Sequence, residues 1–341
     1  MTTFIVRRLL QLPIVLLAIS LLIFGMMQFL TPEQRAATYA KSEQQAKNLD
    51  LIIRQYNLDQ GFLVQYSTWL KQVLRGNLGY SKQSHEPVVT TIRKRLPVSA
   101  ELALYMFFPT LLFGVWMGTM AAIHRDRFVD QVVRVFAIIG WSLPTFVLAI
   151  WMLAVFYGYF KLFGIGRADD SIMVEFAKGT LKAYTGMITI DGILNGRWDV
   201  TYSALKRLVM PVATYTIVAS AQIMRVLRSS MLDVLNSDYV RTARAKGLPE
   251  RVVNLKHARR NAIIPVVTIA GLMFAFMLEG VFFIEIIFNI PGLGQWAVPA
   301  AIQLDFPAVI GIALLTGLVV SIANLAVDIL YGIIDPRISF Q

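Results

Sequence analysis

Little in this chain can do chemistry, and what can is confined to two groups of residues. There is no cysteine, and the three histidines (His85, His124, His257) stand alone. Disulfides, thiolate metal sites and histidine metal spacings are therefore excluded. No lysine follows a glycine, so the Gly-Lys-Ser/Thr loop whose amides cradle nucleotide phosphates is missing. What remains is a set of acids in or near apolar surroundings, Glu101, Glu279, Glu285 and Asp328, and a basic island at 238–265, DYVRTARAKGLPERVVNLKHARRNAIIP. An acid inside a bilayer costs about 2.5–3.5 kcal/mol on insertion scales, so each must face protein or a wet cavity. Glu279 can line a polar path and meet a cationic group. The plainer reading makes each acid a satisfied contact between helices, or, for Glu285, a group near the outer interface. Glu279 and Glu285 lie about 240° apart around a helix and do not form one site.

The island is the more specific feature. Good helix formers fill 229–246, and Gly247 follows where a left-handed C′ residue belongs. Pro249 fits the first turn of a second helix over 250–260, and Pro265 opens the next apolar stretch. On the first helix Tyr239, Thr242 (or Ala243) and Lys246 share a face. The small Ala243 and Ala245 would let another protein approach closely. The expectation is helix, Gly-Leu-Pro turn, helix, built to dock a soluble partner; the plainer alternative is a solvated basic loop that only enforces topology.

The elements that must position these residues are membrane helices. The 341 residues are 56% hydrophobic and only 16% charged, with mean hydropathy +0.60. Soluble domains carry roughly 25% charged residues. Crossing a hydrocarbon core of about 30 Å takes about 20 apolar residues. Stretches 9–30, 102–123, 135–160, 208–224, 262–288 and 306–327 approach or exceed that length, which predicts an all-α polytopic protein with six transmembrane helices. The first follows Arg7 and Arg8, yet at about 22 residues it exceeds a signal-peptide core and no small-x-small site follows, so it reads as an uncleaved span.

The formal net charge is +11, a balance a nucleic-acid binder can show. Here it is sorted by membrane side instead, and no nucleic-acid partner is expected. Segment 225–261 holds nine Lys/Arg against Asp233, Asp238 and Glu250, whereas 289–305 holds no Lys or Arg. The positive-inside rule places the first in the cytoplasm and the second outside. With six spans both termini are cytoplasmic, and the basic 31–96 segment lies outside, as long loops can regardless of charge.

Segment 31–96 reads as a small folded extracytoplasmic unit. Helices are expected over 43–56, with Leu49, Ile52, Ile53 and Tyr56 on one stripe, and over 63–74, carrying Tyr66, Trp69, Leu70 and Val73. These aromatics suit either a local mini-core or the membrane interface. The second span opens at Leu96-Pro97, with Pro97 in its first turn, and Gly114 and Gly118 form a small-xxx-small pair for close packing. Residues 124–134 return through the cytoplasm, and Pro144 predicts a kink in the third span. Segment 162–206 is external and reads as short strands and turns around the apolar, partly β-branched 187–190. No inverted repeat of the kind found in many secondary transporters is evident.

At the island a family resemblance becomes specific. Tyr239-Val240-Arg241-Thr242-Ala243-Arg244-Ala245-Lys246-Gly247-Leu248, with His257 through Arg260-Asn261-Ala262 to Pro265, resembles the EAA loop of ATP-binding-cassette (ABC) importer permeases of the dipeptide/oligopeptide/nickel family. Other marks of that family follow in order. They are Arg7-Arg8-Leu9-Leu10; Tyr56-Asn57-Leu58-Asp59-Gln60; Gln65-Tyr66; Trp69-Leu70; Gly76-Asn77-Leu78-Gly79-Tyr80-Ser81; Arg95-Leu96-Pro97; Glu285 with Pro291-Gly292-Leu293-Gly294; and Asp335-Pro336-Arg337. The likeness runs nearly end to end, with 162–206 the least assignable part. One departure stands out: Arg241, Thr242 and Ala243 occupy the Glu-Ala-Ala positions, so a cation replaces the acid that many permeases present to the ATPase.

The resemblance implies a type I ABC importer permease core, spans about 98–123, 135–160, 207–226, 262–288 and 306–333, preceded by an extra N-terminal helix within 1–30 and the external segment 31–96. It implies an external insertion at 162–206, a cytoplasmic coupling loop at 229–261 and a cytoplasmic tail at 335–341. Tyr239, Arg241, Thr242, Ala243, Lys246, Gly247 and Leu248 would carry ATPase coupling, and Glu279 is the candidate for the translocation path. The chain would be no enzyme and bind no cofactor; ATP and Mg would sit on partner ATPase subunits. The implied partners are a second homologous permease, two ATPase subunits or domains, an extracytoplasmic binding protein that delivers di- or oligopeptides, and lipid of the cytoplasmic membrane. Nickel or oligosaccharides are alternative cargoes. A stand-alone secondary transporter or channel would instead need paired intramembrane charges at broken helices and no docking hairpin. A membrane-embedded enzyme would need a nucleophile or metal cluster.

Overall fold

The apolar stretches fold as helices, since a helix satisfies every backbone N–H and C=O internally where a bilayer offers no partner. The computed structural model describes residues 2–334 except 41, 43, 46–48, 57 and 59. The side chains of 2–9, 37, 49, 50, 54, 275, 276, 278–280 and 328–334 also fall outside it. Arg7, Arg8 and Leu9 and the acids Glu279 and Asp328 are therefore placed on their helices only. Asn57, Asp59, Asp335, Pro336, Arg337 and the 335–341 tail lie outside the described residues.

Helix α1 (Thr2–Met27) leads into α2 (Pro32–Ala37), α3 (Leu49–Gln55) and α4 (Phe62–Leu74). Strands β1 (Tyr80–Ser81) and β2 (Glu86–Pro87) form an antiparallel pair, with Tyr80 opposite Pro87 and Ser81 opposite Glu86. Then come α5 (Val88–Ile123), α6 (Phe128–Ser142) and α7 (Thr145–Met152), which continues as a π-helical turn to Tyr159. Short helices α8 (Asp170–Ala177) and α9 (Ile188–Leu194) precede the long α10 (Trp198–Leu235). Helix α11 (Asp238–Ala245), α12 (Glu250–Val252), a π-helical turn over Val253–Ala258 and α13 (Arg259–Ala262) form the island. Helices α14 (Ile264–Ile287), α15 (Leu293–Ile302) and α16 (Phe306–Ile334) complete the chain.

Among the described residues, α1, α5, α10 and α16 are each long and apolar enough to cross a membrane, and the bent pair α6–α7 makes up to five. The expected kink at Pro144 is a break of 102° between the two arms. The ring of a proline drives the preceding residue out of the helical region, and Leu143 is extended at φ −87°, ψ 123°. Helix α5 begins well before Pro97, because 88–96 is itself helical; Pro97 lies within the helix rather than in its first turn, a correction to the expected start.

The central core joins α5, α7, α10 and α14 through Leu102, Met106, Ala149, Met210, Tyr215, Val281 and Ile284. The small-xxx-small pair does bring α5 onto α10. A Cβ on Gly114 would stand 2.7 Å from that of Ile223, and one on Gly118 3.0 Å from the Met224 carbonyl oxygen. Overpacking of this kind costs about 1–3 kcal/mol. Gly114→Val is expected to lower the thermal midpoint of the detergent-solubilised protein; an unchanged midpoint would show that the two helices separate freely.

The aromatics of segment 31–96 pack into a mini-core. Phe24 and Met27 of α1 pack with Tyr39, Ile52, Leu58, Trp69 and Ile310. The Gly76–Ser81 motif ties this unit to α15 and the turn that follows it. Asn77 Nδ2 donates to the Tyr39 carbonyl (3.1 Å), Ser81 Oγ donates to Asp305 Oδ2 (2.7 Å), and Trp296 Nε1 donates to Ser81 Oγ (3.2 Å).

Segment 162–206 is helical where short strands were expected. Residues 187–190 form no strand; Met187 is the N-cap of α9. They enter α9 instead, burying Ile188 against Leu181, Val200 and Ala204. Three carboxylates hold the segment in place. Glu101 Oε1 accepts from Thr189 N (2.8 Å) and Oγ1 (2.7 Å), while its Oε2 pairs with Arg167 (3.0 Å). Asp191 accepts from Thr185 N and Gly186 N. Asp169 is bound by Arg207 and Ser203, and the Arg207 hydrogen bond holds its carboxyl below the usual range.

Candidate coupling site

The island begins where α10 ends. The sequence expectation of one helix over 229–246 is corrected: α10 stops at Leu235, Asn236 and Ser237 turn the chain, and α11 starts at Asp238. Helix-breaking Asn and Ser at that point are the local reason. At the other end of α11, Gly247 has φ +77°. Gly247 N donates to the Arg244 carbonyl (2.9 Å) and Leu248 N to that of Ala243 (3.4 Å), the paired bonds of a Schellman motif with glycine at C′. Pro249 then caps α12.

The hairpin is a folded unit. Val240, Ala243 and Val253 are buried together, against Val234 and Leu235. Arg244 Nε donates to Glu250 Oε1 (2.9 Å) across the turn, and Asn261 Nδ2 donates to the Tyr239 hydroxyl (2.8 Å). Of the residues the sequence singled out, Tyr239, Arg241, Thr242, Lys246, Gly247 and Leu248 are exposed on one unit, and Ala243 is not. Ala243 was expected to admit a partner; at 6% exposure it packs inward and holds the hairpin closed. Among the described residues Arg241 carries only a 3.5 Å pair with Asp238, both well exposed, a contact worth roughly 0–1 kcal/mol. Its guanidinium is available to a partner.

The hairpin is also tied to the spans. Ala258 and Ala262 are fully buried with Ala122 of α5, Ile223, Leu227 and Met231 of α10, and Val266 of α14. Arg228 of α10 makes a bidentate pair with the buried Asp130 of α6, both bonds 2.6 Å, and Asp126 N adds a third (3.0 Å). Arg225 lies 4.4 Å from the Trp141 ring centroid, a cation–π contact. Sequence reasoning missed the Asp130–Arg228 pair. Its signal was available: an acid and a base at the ends of two apolar stretches, each needing a partner.

The other acids divide. Glu101 and Glu285 are satisfied contacts between elements. Glu285 is fully buried within the protein, two residues before the end of α14. Its Oε1 accepts from Ser99 Oγ (2.5 Å), and its Oε2 from Gly294 N (2.6 Å) and Gln295 N (3.4 Å), the open amides at the start of α15. Leu293 N donates to Ser99 Oγ (2.8 Å) and Arg95 Nη1 to the Gly292 carbonyl (3.1 Å). The Pro-Gly-Leu-Gly motif follows from this clasp. A Cβ on Gly292 would overlap the Glu285 carboxyl, and one on Gly294 would overlap the backbone of Phe282. Glu279 sits on α14, eight residues before its end.

Known proteins resemble the chain over nearly its whole length. Residues 112–340 match the family described as binding-protein-dependent transport system inner membrane component, and residues 1–103 match the N-terminal region of such membrane components. The chain is 38% identical over 288 residues to a probable D,D-dipeptide transport system permease protein of Escherichia coli, covering 84% of this chain and 83% of that one. It is 32% identical over 343 residues to a dipeptide transport system permease protein of Alkalihalophilus pseudofirmus, covering 100% of both. A putative peptide permease protein of Brucella suis is 36% identical over 327 residues, 95% of this chain and 94% of that one.

Proposed function

Since the chain belongs to the family of binding-protein-dependent transport system inner membrane components, we propose that it is the permease subunit of an ABC importer that moves di- or oligopeptides into the cytoplasm. The peptide class rests on the relatives, which are named as dipeptide or peptide permeases. The mechanism rests on one observation: a polar hairpin with its own buried cluster, packed through Ala258 and Ala262 against α5, α10 and α14.

Counting α14 with the five candidates gives six spans, both termini in the cytoplasm and the hairpin on the cytoplasmic face of the inner membrane. An extracytoplasmic binding protein delivers the peptide, and a second homologous permease completes the path. The exposed face of Tyr239, Arg241, Thr242, Lys246, Gly247 and Leu248 docks into a cleft of an ATPase subunit, which holds ATP and Mg. When two ATPase units close on ATP the hairpin moves as a rigid body and carries α10 and α14 with it, switching access from one side to the other. Arg241, in place of an acid, calls for an acidic or carbonyl-rich partner surface.

Co-purification tests the docking. An ATPase subunit should come down with the chain, and Arg241→Glu with Lys246→Glu should release it while the spans stay in the membrane. Retention at the wild-type level would remove the hairpin from the interface. Uptake of a labelled dipeptide by vesicles carrying the complex and its binding protein tests the cargo; uptake of nickel or an oligosaccharide instead would replace it. We propose that Glu279 lines the path, where its carboxylate meets the peptide amino group. A hydrogen bond to a charged group is worth about 1.5–3 kcal/mol, so Glu279→Gln should raise the KM for peptide about tenfold or more. Unchanged KM and rate would take Glu279 off the path.

A further inference from the structure

Beside the hairpin, a cavity of about 650 Å³ opens between the end of α5 and the second hairpin helix. We propose that it is a binding site for an anionic phospholipid of the cytoplasmic leaflet. One wall is apolar and open: Leu112 is 68% and Trp116 59% exposed, with Met120 and Ile123 continuing the same wall. From Leu112 to Ile123 the helix rises about 16 Å, the depth of one leaflet of a core about 30 Å thick. A single acyl chain fits that length.

The other end carries two guanidiniums, Arg251 and Arg259. Neither is ion-paired or hydrogen-bonded through its side chain among the described residues. Glu250, the acid next to Arg251, is engaged by Arg244. An uncompensated pair of cations at the mouth of an apolar groove, on the basic side of the chain, complements a headgroup of net negative charge and favours it over a zwitterionic one, whose own cation offsets its phosphodiester. Arg251 and Arg259 flank the π-helical turn over Val253–Ala258. A headgroup held by both cations tethers the moving hairpin to the membrane surface. The site needs no nucleotide, peptide or binding protein.

Native mass spectrometry of the complete importer, titrated with phosphatidylglycerol or phosphatidylcholine, tests this. The wild type should keep a phosphatidylglycerol that resists delipidation and should bind phosphatidylcholine far more weakly. A juxtamembrane cation facing anionic lipid is worth roughly fivefold in affinity. Arg251→Gln or Arg259→Gln should therefore weaken binding about fivefold and the double variant about thirtyfold, while Lys178→Gln in the external segment leaves it unchanged. Equal affinity for the two lipids, or a double variant that binds like wild type, overturns the proposal. So does displacement of the lipid by inorganic phosphate alone, which would show a bare anion site. The chain has no cysteine, so Leu112→Cys, at an exposed position of the groove, adds a second readout. Cross-linking of that thiol to the sister permease would show that the groove is a subunit interface and would equally overturn the proposal.

Discussion

Gly247→Val is expected to abolish coupled peptide uptake while the importer still assembles and hydrolyses ATP at its basal rate. Gly247 holds φ +77°, a region where an L-residue pays about 1–2 kcal/mol and a β-branched one is a real outlier. A Cβ added there meets open space, with nothing beyond the adjacent residues within 4 Å. The whole penalty is therefore backbone strain at the turn. The core that resists it is small: Val240, Ala243 and Val253, with partial help from Val234 and Leu235. The strain is released by rotating α11 against α12, which breaks the Arg244–Glu250 pair and moves the docking face relative to Ala258 and Ala262. Gly247→Asn separates conformation from chemistry, because Asn tolerates the left-handed region; it should retain most uptake. The readout is peptide moved per ATP hydrolysed. Wild-type stoichiometry in the Val variant would mean that the hairpin angle does not transmit the ATPase movement.

Glu285→Ala should produce a large loss of folded-state stability around α15. It removes the acceptor for Ser99 Oγ and for two amides at the start of α15. Each buried donor left unsatisfied costs about 1–3 kcal/mol, so the total is several kcal/mol. Glu285→Gln keeps the shape and one acceptor oxygen, but sets an NH2 against either Ser99 or the amides. Its cost should fall between wild type and Ala. Limited proteolysis across 288–305 and the thermal midpoint in detergent both read this series. A midpoint for Glu285→Ala equal to wild type would mean that α15 is held by Trp296 and its apolar neighbours alone. The series also distinguishes a clasp from a transport residue, because uptake should fall with the amount of folded protein and not through KM.

The parts of the fold that were legible before the structure are those set by chemistry along the chain. Apolar length marked the four long membrane-length helices and the bent pair, Pro144 marked the break, Gly247 marked the turn, and Gly114 with Gly118 marked the α5–α10 contact. The parts that were not legible depend on partners distant in sequence. Residues 187–190 look strand-like in isolation; only the surface offered by Leu181, Val200 and Ala204 makes them helical. Glu285 and the Pro-Gly-Leu-Gly run could be read as one motif, but Ser99, which completes the clasp, lies 186 residues away. Ala243 shows the limit on the candidate site. Helical spacing allowed either Thr242 or Ala243 on the docking face, and the choice was made by Val253 on the next helix, which buries Ala243. The same packing leaves Arg241 outward, so the replacement of an acid by a cation is a property of the exposed surface and not of the hairpin core.

Site-specific cross-linking tests the coupling role most directly. The chain contains no cysteine, so Thr242→Cys introduces a single thiol on the exposed face of α11, clear of the Val240–Ala243–Val253 core. A short bifunctional reagent is applied to the purified complex with and without ATP. The expected result is a covalent product between this chain and the ATPase subunit whose yield changes when ATP is bound. An assembled complex that transports peptide yet gives no such product from Thr242→Cys, and none from Lys246→Cys, would contradict the assignment of residues 238–261 as the element that couples hydrolysis to transport.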